Sequence, residues 1–354
     1  AECGTVLIGF TDADGDFLTY TVDVDGLTLE TANGRVVDVL PRSTRINFTD
    51  YVDLTDLVTA ATVPPGVDVA GTRRLEYSNA EVFVEAGGAA KEAVVTDLAG
   101  TPLAQTELQI RLADRDQLTV VKGRAALLQL DFDLEASHTV DIVPDPAVAA
   151  AEPFIVAEVQ PVDEKDIRLR GPLVSVNEDE SSYTVLVRPF TDRAGDFGRF
   201  NVHVDDATEF DISGELFVGS EGLRALAAAG EGTPTVAKGT LTLADRRFEA
   251  DIVLAGSSVP GEGRDAVVGN VIQRDGNFLT VRGGTIIHRD RPAHFHDDVV
   301  VEVGPDTRVV RDGDRVTDLS IGAISIGQRL TVYGSAPATV TDAAAPQVLF
   351  DATQ

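Results

Sequence analysis

Between Val267 and Gly334 the chain is a succession of short β-branched runs cut by Gly, Asp and Asn. The stretch from Val267 to Ile287 reads V-V-G-N-V-I-Q-R-D-G-N-F-L-T-V-R-G-G-T-I-I, and a later one from Val299 reads V-V-V-E-V-G-P-D-T-R-V-V. Side chains of a strand alternate between two faces, so runs of this length bounded by turn residues predict strands and hairpins rather than helices. The same order of elements occurs earlier, from Ile167 to Leu254. A periodic series of short strands constrains the chain to an all-β fold built from repeated modules.

The N-terminal part carries its own strand series. Thr5, Val6, Leu7, Ile8, Gly9 and Phe10 form a continuous apolar run, and Phe17 to Val24 alternates. Asp25-Gly26 predicts a hairpin turn before Leu27 to Glu30. Ser78-Asn79 predicts a turn between Thr72–Tyr77 and Glu81–Glu85. Val52 to Val58 reads as a short helix or turn capped by Thr55. Strands are also expected at Val36–Leu40, Arg45–Phe48, Glu107–Leu112, Leu118–Val121 and Ala125–Phe132. About ten short strands at this spacing are the pattern of a β-sandwich. Pro144 to Pro161 brackets an Ala-rich run that reads as a linker, or as a strand around Ile155. The best helix candidate is Leu223 to Ala229. The expected domains are a sandwich over 1–145, a linker or connecting strand over 146–166, and two barrel repeats over 167–258 and 265–354.

Two resemblances accompany these patterns. Thr11-Asp12-Ala13, Val52 to Leu57, Val63-Pro64-Pro65-Gly66 and Leu128 to Ser137 together resemble a family of uncharacterised bacterial surface lipoprotein domains, with Asp14 where that family usually has proline. This likeness implies export and surface attachment and no known activity. In the second half, Gly171-Pro172-Leu173 and Gly269-Asn270-Val271 correspond, as do Ala207-Thr208-Glu209-Phe210 and Asp306-Thr307-Arg308-Val309. The strand around Gly239 corresponds to Arg329–Gly334. This repeat is similar to an uncharacterised small bacterial β-barrel module. It implies two small Greek-key barrels related to the oligonucleotide/oligosaccharide-binding (OB) barrel.

Charge bears on what such barrels bind. The formal net charge is -29, with 58 acids against 29 bases, and aromatic residues make up 6%. Phosphate binding needs a basic surface and base stacking needs aromatic platforms, so nucleic acid is an unsuitable partner. No run of 18 or more apolar residues predicts a membrane span. The chain has no methionine, which leads to the expectation of a processed, exported form, outside or on the surface of a bacterial cell. Its single cysteine, Cys3, fits a lipid anchor, an intermolecular disulfide or an inert residue.

Three sets of residues stand out chemically. Asp12, Asp14 and Asp16 alternate around Gly15, with Asp23 further on; Asp131 and Asp133 share a strand face. Carboxylates in this arrangement suit calcium, although Phe17 stands where a calcium loop needs glycine and Asp23 where it needs a bidentate Glu. An Asp/Gly turn between strands is the structural alternative. His288, His294, His296 and Asp297 supply nitrogen and oxygen ligands for zinc or copper, or else an exposed polar loop. His138 and His203 stand alone and read as surface or satisfied structural residues. Thr5, Val6, Leu7 and Ile8, next to Cys3, form an apolar strand able to add to a neighbour's sheet edge. The chain carries no G-x-S-x-G, no Cys/His pair, no H-E-x-x-H and no phosphate-cradling G-x-x-x-x-G-K. The function expected is therefore a non-enzymatic secreted or cell-surface structural or adhesive protein, such as a fibre subunit assembled by strand addition. The alternative is a metal- or ligand-binding surface protein, with calcium as its ion.

Overall fold

In the computed structural model the described residues are 4–12, 17–30, 34–51, 55–63, 67–69, 73–87, 89–112, 118–120, 125–132, 134–151, 154–158, 167–190, 195–242, 247–289, 294–310, 319–336 and 348–352. The fold is all-β. Two compact units are resolved, one comprising Ala1–Val82 and Glu92–Val259, the other Phe83–Lys91 and Pro260–Gln354.

The N-terminal part of the chain, which belongs to the first unit except for Phe83–Lys91, holds strands β1 (Gly4–Asp12), β2 (Phe17–Glu30), β3 (Val36–Asp38), β4 (Thr44–Asn47), β5 (Thr55–Val63), β6 (Val67–Val69) and β7 (Arg73–Ala86). It continues with β8 (Ala89–Thr96), β9 (Gln105–Leu112), β10 (Leu118–Val120), β11 (Ala125–Phe132), the one-turn helix α1 (Leu134–Ser137), β12 (His138–Asp141), β13 (Ala147–Ala151) and β14 (Phe154–Glu158). β1 is a central strand. It pairs antiparallel with β5 and parallel with β11. Val6, Leu7, Ile8 and Phe10 are fully buried. A run without polar alternation is what a strand covered on both faces requires. β11 pairs onward with β14, and β14 with β9.

Three local expectations give way to tertiary pairing. Asp25-Gly26 makes no hairpin; β2 runs through it and exchanges partners there, from β4 at Thr21–Val24 to β3 at Thr28–Glu30. Ser78-Asn79 lies inside β7, where Asn79 takes a φ of 50°, a conformation Asn tolerates better than most residues. Thr55 to Val58 is strand rather than helix. A 3-10 turn occupies Phe48–Tyr51 instead, and the β-branched residues of β5 pair along β1. The 146–166 segment contains β13 and β14, both built into ladders, β13 beside β12 and β8.

The same unit continues with β15 (Ile167–Asn177), β16 (Ser182–Leu186), β17 (Arg199–His203), β18 (Glu209–Ile212), β19 (Glu215–Val218), helix α2 (Gly219–Ala229), β20 (Pro234–Thr242) and β21 (Arg247–Ala255). The helix forms where Leu223 was expected to begin one, four residues earlier, and buries Leu223 and Leu226. β15 pairs with β16, β16 with β17, β17 in parallel with β21, β21 with β20, and β20 with β15. That cycle is a closed ring. The second unit holds β22 (Asp265–Asp275), β23 (Phe278–Ile287), β24 (His294–Val303), β25 (Arg329–Ser335) and β26 (Val348–Ala352), which close into a barrel in the order β22-β23-β24-β26-β25. Here too the third and fifth strands, β24 and β26, form the parallel pair.

Two details show that the rings are the same construction. A Cβ on Gly171 in β15 would stand 1.8 Å from the Leu186 carbonyl oxygen, and one on Gly269 in β22 would stand 2.7 Å from that of Arg282. Only glycine lets the first strand of each ring approach the second so closely. After the third strand, Thr208 Oγ1 accepts a hydrogen bond from the Asp205 amide at 2.9 Å and donates to the Ala250 carbonyl on β21 at 2.8 Å. Thr307 Oγ1 does the same with the Gly304 amide at 2.9 Å and the Ala352 carbonyl on β26 at 2.8 Å. One hydroxyl thus pins the turn that leaves the third strand to the fifth strand. Replacing Thr208 or Thr307 by Val leaves a backbone donor and acceptor unpaired. Each is expected to lower unfolding stability by about 1–3 kcal/mol. The larger loss belongs to the fully buried Thr208, and urea denaturation of the two variants measures it.

Candidate functional site

The acidic set expected to bind calcium divides. Asp23 lies on β2 and is committed to structure. Its carboxylate accepts hydrogen bonds from Arg45 on β4 at 3.0 Å and from the Asn79 amide on β7 at 2.8 Å. Arg45 also reaches Glu81 at 2.7 Å, so one guanidinium joins three strands. Asp12 and Asp131 come together by backbone register: in the parallel β1–β11 ladder Thr11 lies opposite Asp131, and Asp12 opposite Phe132. Parallel strands end on the same side of a sheet, so the ends of β1 and β11 lie side by side. Asp14, Asp16 and Asp133 lie outside the described residues, as does Cys3.

The histidine set is arranged along β23 and β24. The backbones of His294 and His296 pair with Ile286 and Gly284, and Asp298 pairs with Arg282. The Arg282 and Asp298 side chains form an ion pair at 3.1 Å. His288 is buried just beyond β23, with Nδ1 3.8 Å from Asp265 at the start of β22. Among the described residues no group of three or more His, Cys, Asp or Glu side chains comes together.

Asp265 is itself a tie. Its two oxygens accept from the Arg289 amide at 2.9 Å and the Ala336 amide at 3.0 Å. Partial burial pushes its pKa up, but these amides and the neighbouring His288 and Arg289 charges outweigh that and hold it below the ordinary carboxylate value. One carboxylate thereby links the start of β22 to the residues that follow β23 and β25. Asp265→Ala is expected to cost about 1–3 kcal/mol of stability, because two partly buried amides lose their acceptor. Its thermal midpoint would fall relative to the parent at neutral pH and converge with it only as pH falls below the ordinary carboxylate range, through the lowered pKa of Asp265.

Thr5, Val6, Leu7 and Ile8 require a correction. They were expected to form a free strand available to a neighbour. β1 instead has both edges occupied, by β5 and β11 of its own chain. Its apolar run is satisfied by burial at home.

A polar cluster that the sequence did not announce lies in the core of the N-terminal part. The Tyr20 hydroxyl is 3.1 Å from that of Tyr77 and 3.0 Å from His138 Nε2, and His138 Nδ1 is 3.0 Å from the Leu134 carbonyl. With the proton assigned to Nδ1, His138 donates to Leu134 and accepts from Tyr20. Phe17 and Tyr20 pack around the imidazole with ring centroids 5.3 and 5.1 Å away. His138 is therefore a satisfied structural residue, one of the two readings open to it. Burial lowers its pKa, with the Leu134 hydrogen bond opposing. His203 is also lowered, by partial burial and by Arg247, which sits 2.8 Å from its Nδ1. Burial, followed by the Tyr77 interaction, raises the pKa of Tyr20. The partners of His138 are remote in sequence, so no local pattern could have joined them.

No family model, no curated protein and no solved structure matches the chain.

The lowered His138 pKa makes a signed prediction. The unfolded chain takes up this proton near pH 6.5 and the folded chain resists it, so stability contributed by neutral His138 is lost as pH falls below about 6.5. The urea midpoint of the parent protein should drop more between neutral pH and pH 5 than that of His138→Gln. Equal drops would remove His138 from the account.

Proposed function

We propose that this chain is a non-enzymatic secreted or cell-surface structural protein, built to carry load or adhesion through strands. The observation that supports this reading is the continuity of backbone pairing inside the first unit. β5 of the N-terminal part pairs in parallel with β15 of the first ring, Thr55 opposite Ile167 and Asp56 opposite Arg168. The Ala60 amide and the Thr59 hydroxyl both donate to the Phe197 carbonyl, at 2.8 and 3.0 Å. Modules joined in this way resist separation, whereas modules on a flexible linker turn freely. We read each ring as an OB-like Greek-key barrel used as a rigid spacer. The charge of -29 disfavours nucleic acid as its ligand.

In the fibre form of this reading, β1 is exchanged rather than added: a neighbour's β1 takes the place between β5 and β11. Like charges must be screened for copies to approach, so assembly should need salt or divalent cations. Negative-stain electron microscopy of the purified protein, at low and high salt and with a calcium chelator, tests it. Regular fibres or rings under screened conditions are the expected outcome. Dispersed single particles throughout would end the fibre form.

A second reading, a calcium-binding surface protein, draws support from the parallel pairing of β1 with β11, which puts the acidic ends of the two strands at one edge of the sheet. Calcium should then raise the thermal midpoint of the parent and raise it less in Asp131→Asn. Absence of any shift in the parent at millimolar calcium would sink this reading.

A further inference from the structure

We propose that the outer edge of β19 is a docking strand for an extended, basic segment of a partner protein, which adds to the sheet beside it. This inference is independent of the structural reading above. It starts from what lies between the third and fourth strands of the first ring. That interval contains β18, β19 and α2.

β18 pairs in parallel with β21 on one side and antiparallel with β19 on the other. Among the described residues β19 pairs with β18 alone, so one row of its main-chain donors and acceptors faces outward. Sheet edges are usually blocked by shortness, charged side chains, proline or a bulge. β19 reads Glu215-Leu216-Phe217-Val218: it is short and opens on Glu215, but carries no lysine or proline and pairs with β18 without a bulge. Leu216 is 73% exposed and Val218 54% exposed. The opposite face of the hairpin is closed by α2, where Gly222 lies against the Phe210 ring.

Charge selects the occupant. Register places Leu216 beside Asp211 and Val218 beside Glu209. The chain carries carboxylates at Asp205, Asp206, Glu209, Asp211, Glu215 and Glu221, with no lysine or arginine between Asp205 and Glu221. A second copy laid edge to edge would bring these carboxylates together within a molecule of net charge -29. A strand with apolar side chains beside Leu216 and Val218 and basic ones between them meets both the open ladder and the field. β19 spans four residues, so the attachment is weak and depends strongly on salt.

The test uses the whole chain and a fluorescent peptide of alternating lysine and valine, about eight residues long, against a glutamate/valine control. The lysine peptide should bind at low salt and raise hydrogen-exchange protection at 215–218. Affinity should fall about tenfold or more in Leu216→Lys and in Val218→Lys, and also at high salt. Both substitutions are at exposed positions, so the fold should persist, and circular dichroism checks it. The proposal is overturned by any of four results: no binding, equal binding of the glutamate peptide, binding unaffected by both variants, or protection elsewhere than at 215–218. Concentration-dependent dimers in sedimentation that disappear in Leu216→Lys would also overturn it, by making a second copy the occupant.

Discussion

Closure of the backbone hydrogen-bond ladder is the constraint on which both rings depend. A five-strand sheet left open would expose two rows of unpaired main-chain groups; a ring exposes none. Closing it requires the third and fifth strands to run side by side in the same direction, although no short turn can join parallel neighbours. The chain meets that demand with Thr208 and Thr307, whose hydroxyls fasten the exit of the third strand to the fifth. It meets the sharp curvature with Gly171 and Gly269, where a side chain would strike the facing strand. Apolar side chains such as Val267, Val281 and Val301 then fill the second ring.

The N-terminal part solves the same edge problem differently. Its central strand β1 is buried on both faces and flanked on both edges, so it acts as the seam that joins β5 to β11. Through β5 that seam continues into the first ring. Beside it the core holds a polar chain whose members answer one another. Tyr77, Tyr20, His138 and the Leu134 carbonyl form a chain of hydrogen bonds between elements far apart in sequence. A neutral imidazole can occupy such a position because one nitrogen donates and the other accepts.

Much of this was legible in the residues. The repeat was visible because glycine and threonine recur at positions where the geometry admits little else, and the strand periods were visible because burial alternates. The apolar run from Val6 to Ile8 announced a strand but not its place: the same run suits a buried seam and a free adhesive edge. Asp25-Gly26 and Ser78-Asn79 look like turns in a short window. Both lie inside long strands, because pairing with remote neighbours outweighs a dipeptide's local preference. Asp23 looked like a ligand by spacing, and Arg45 and Asn79 claimed it from other strands.

The sequence by itself determined the all-β class and the strongly negative net charge, because these follow from side-chain period, turn chemistry and composition, all local properties of the chain. Tertiary structure decided which strands are seams and which are edges. It placed β1 inside, left β19 outside, set the end of β1 beside the end of β11, and drew His138 into the core. Each of these is set by hydrogen bonds and packing between residues tens of positions apart, and no spacing along the chain encodes which remote strand a given strand will meet.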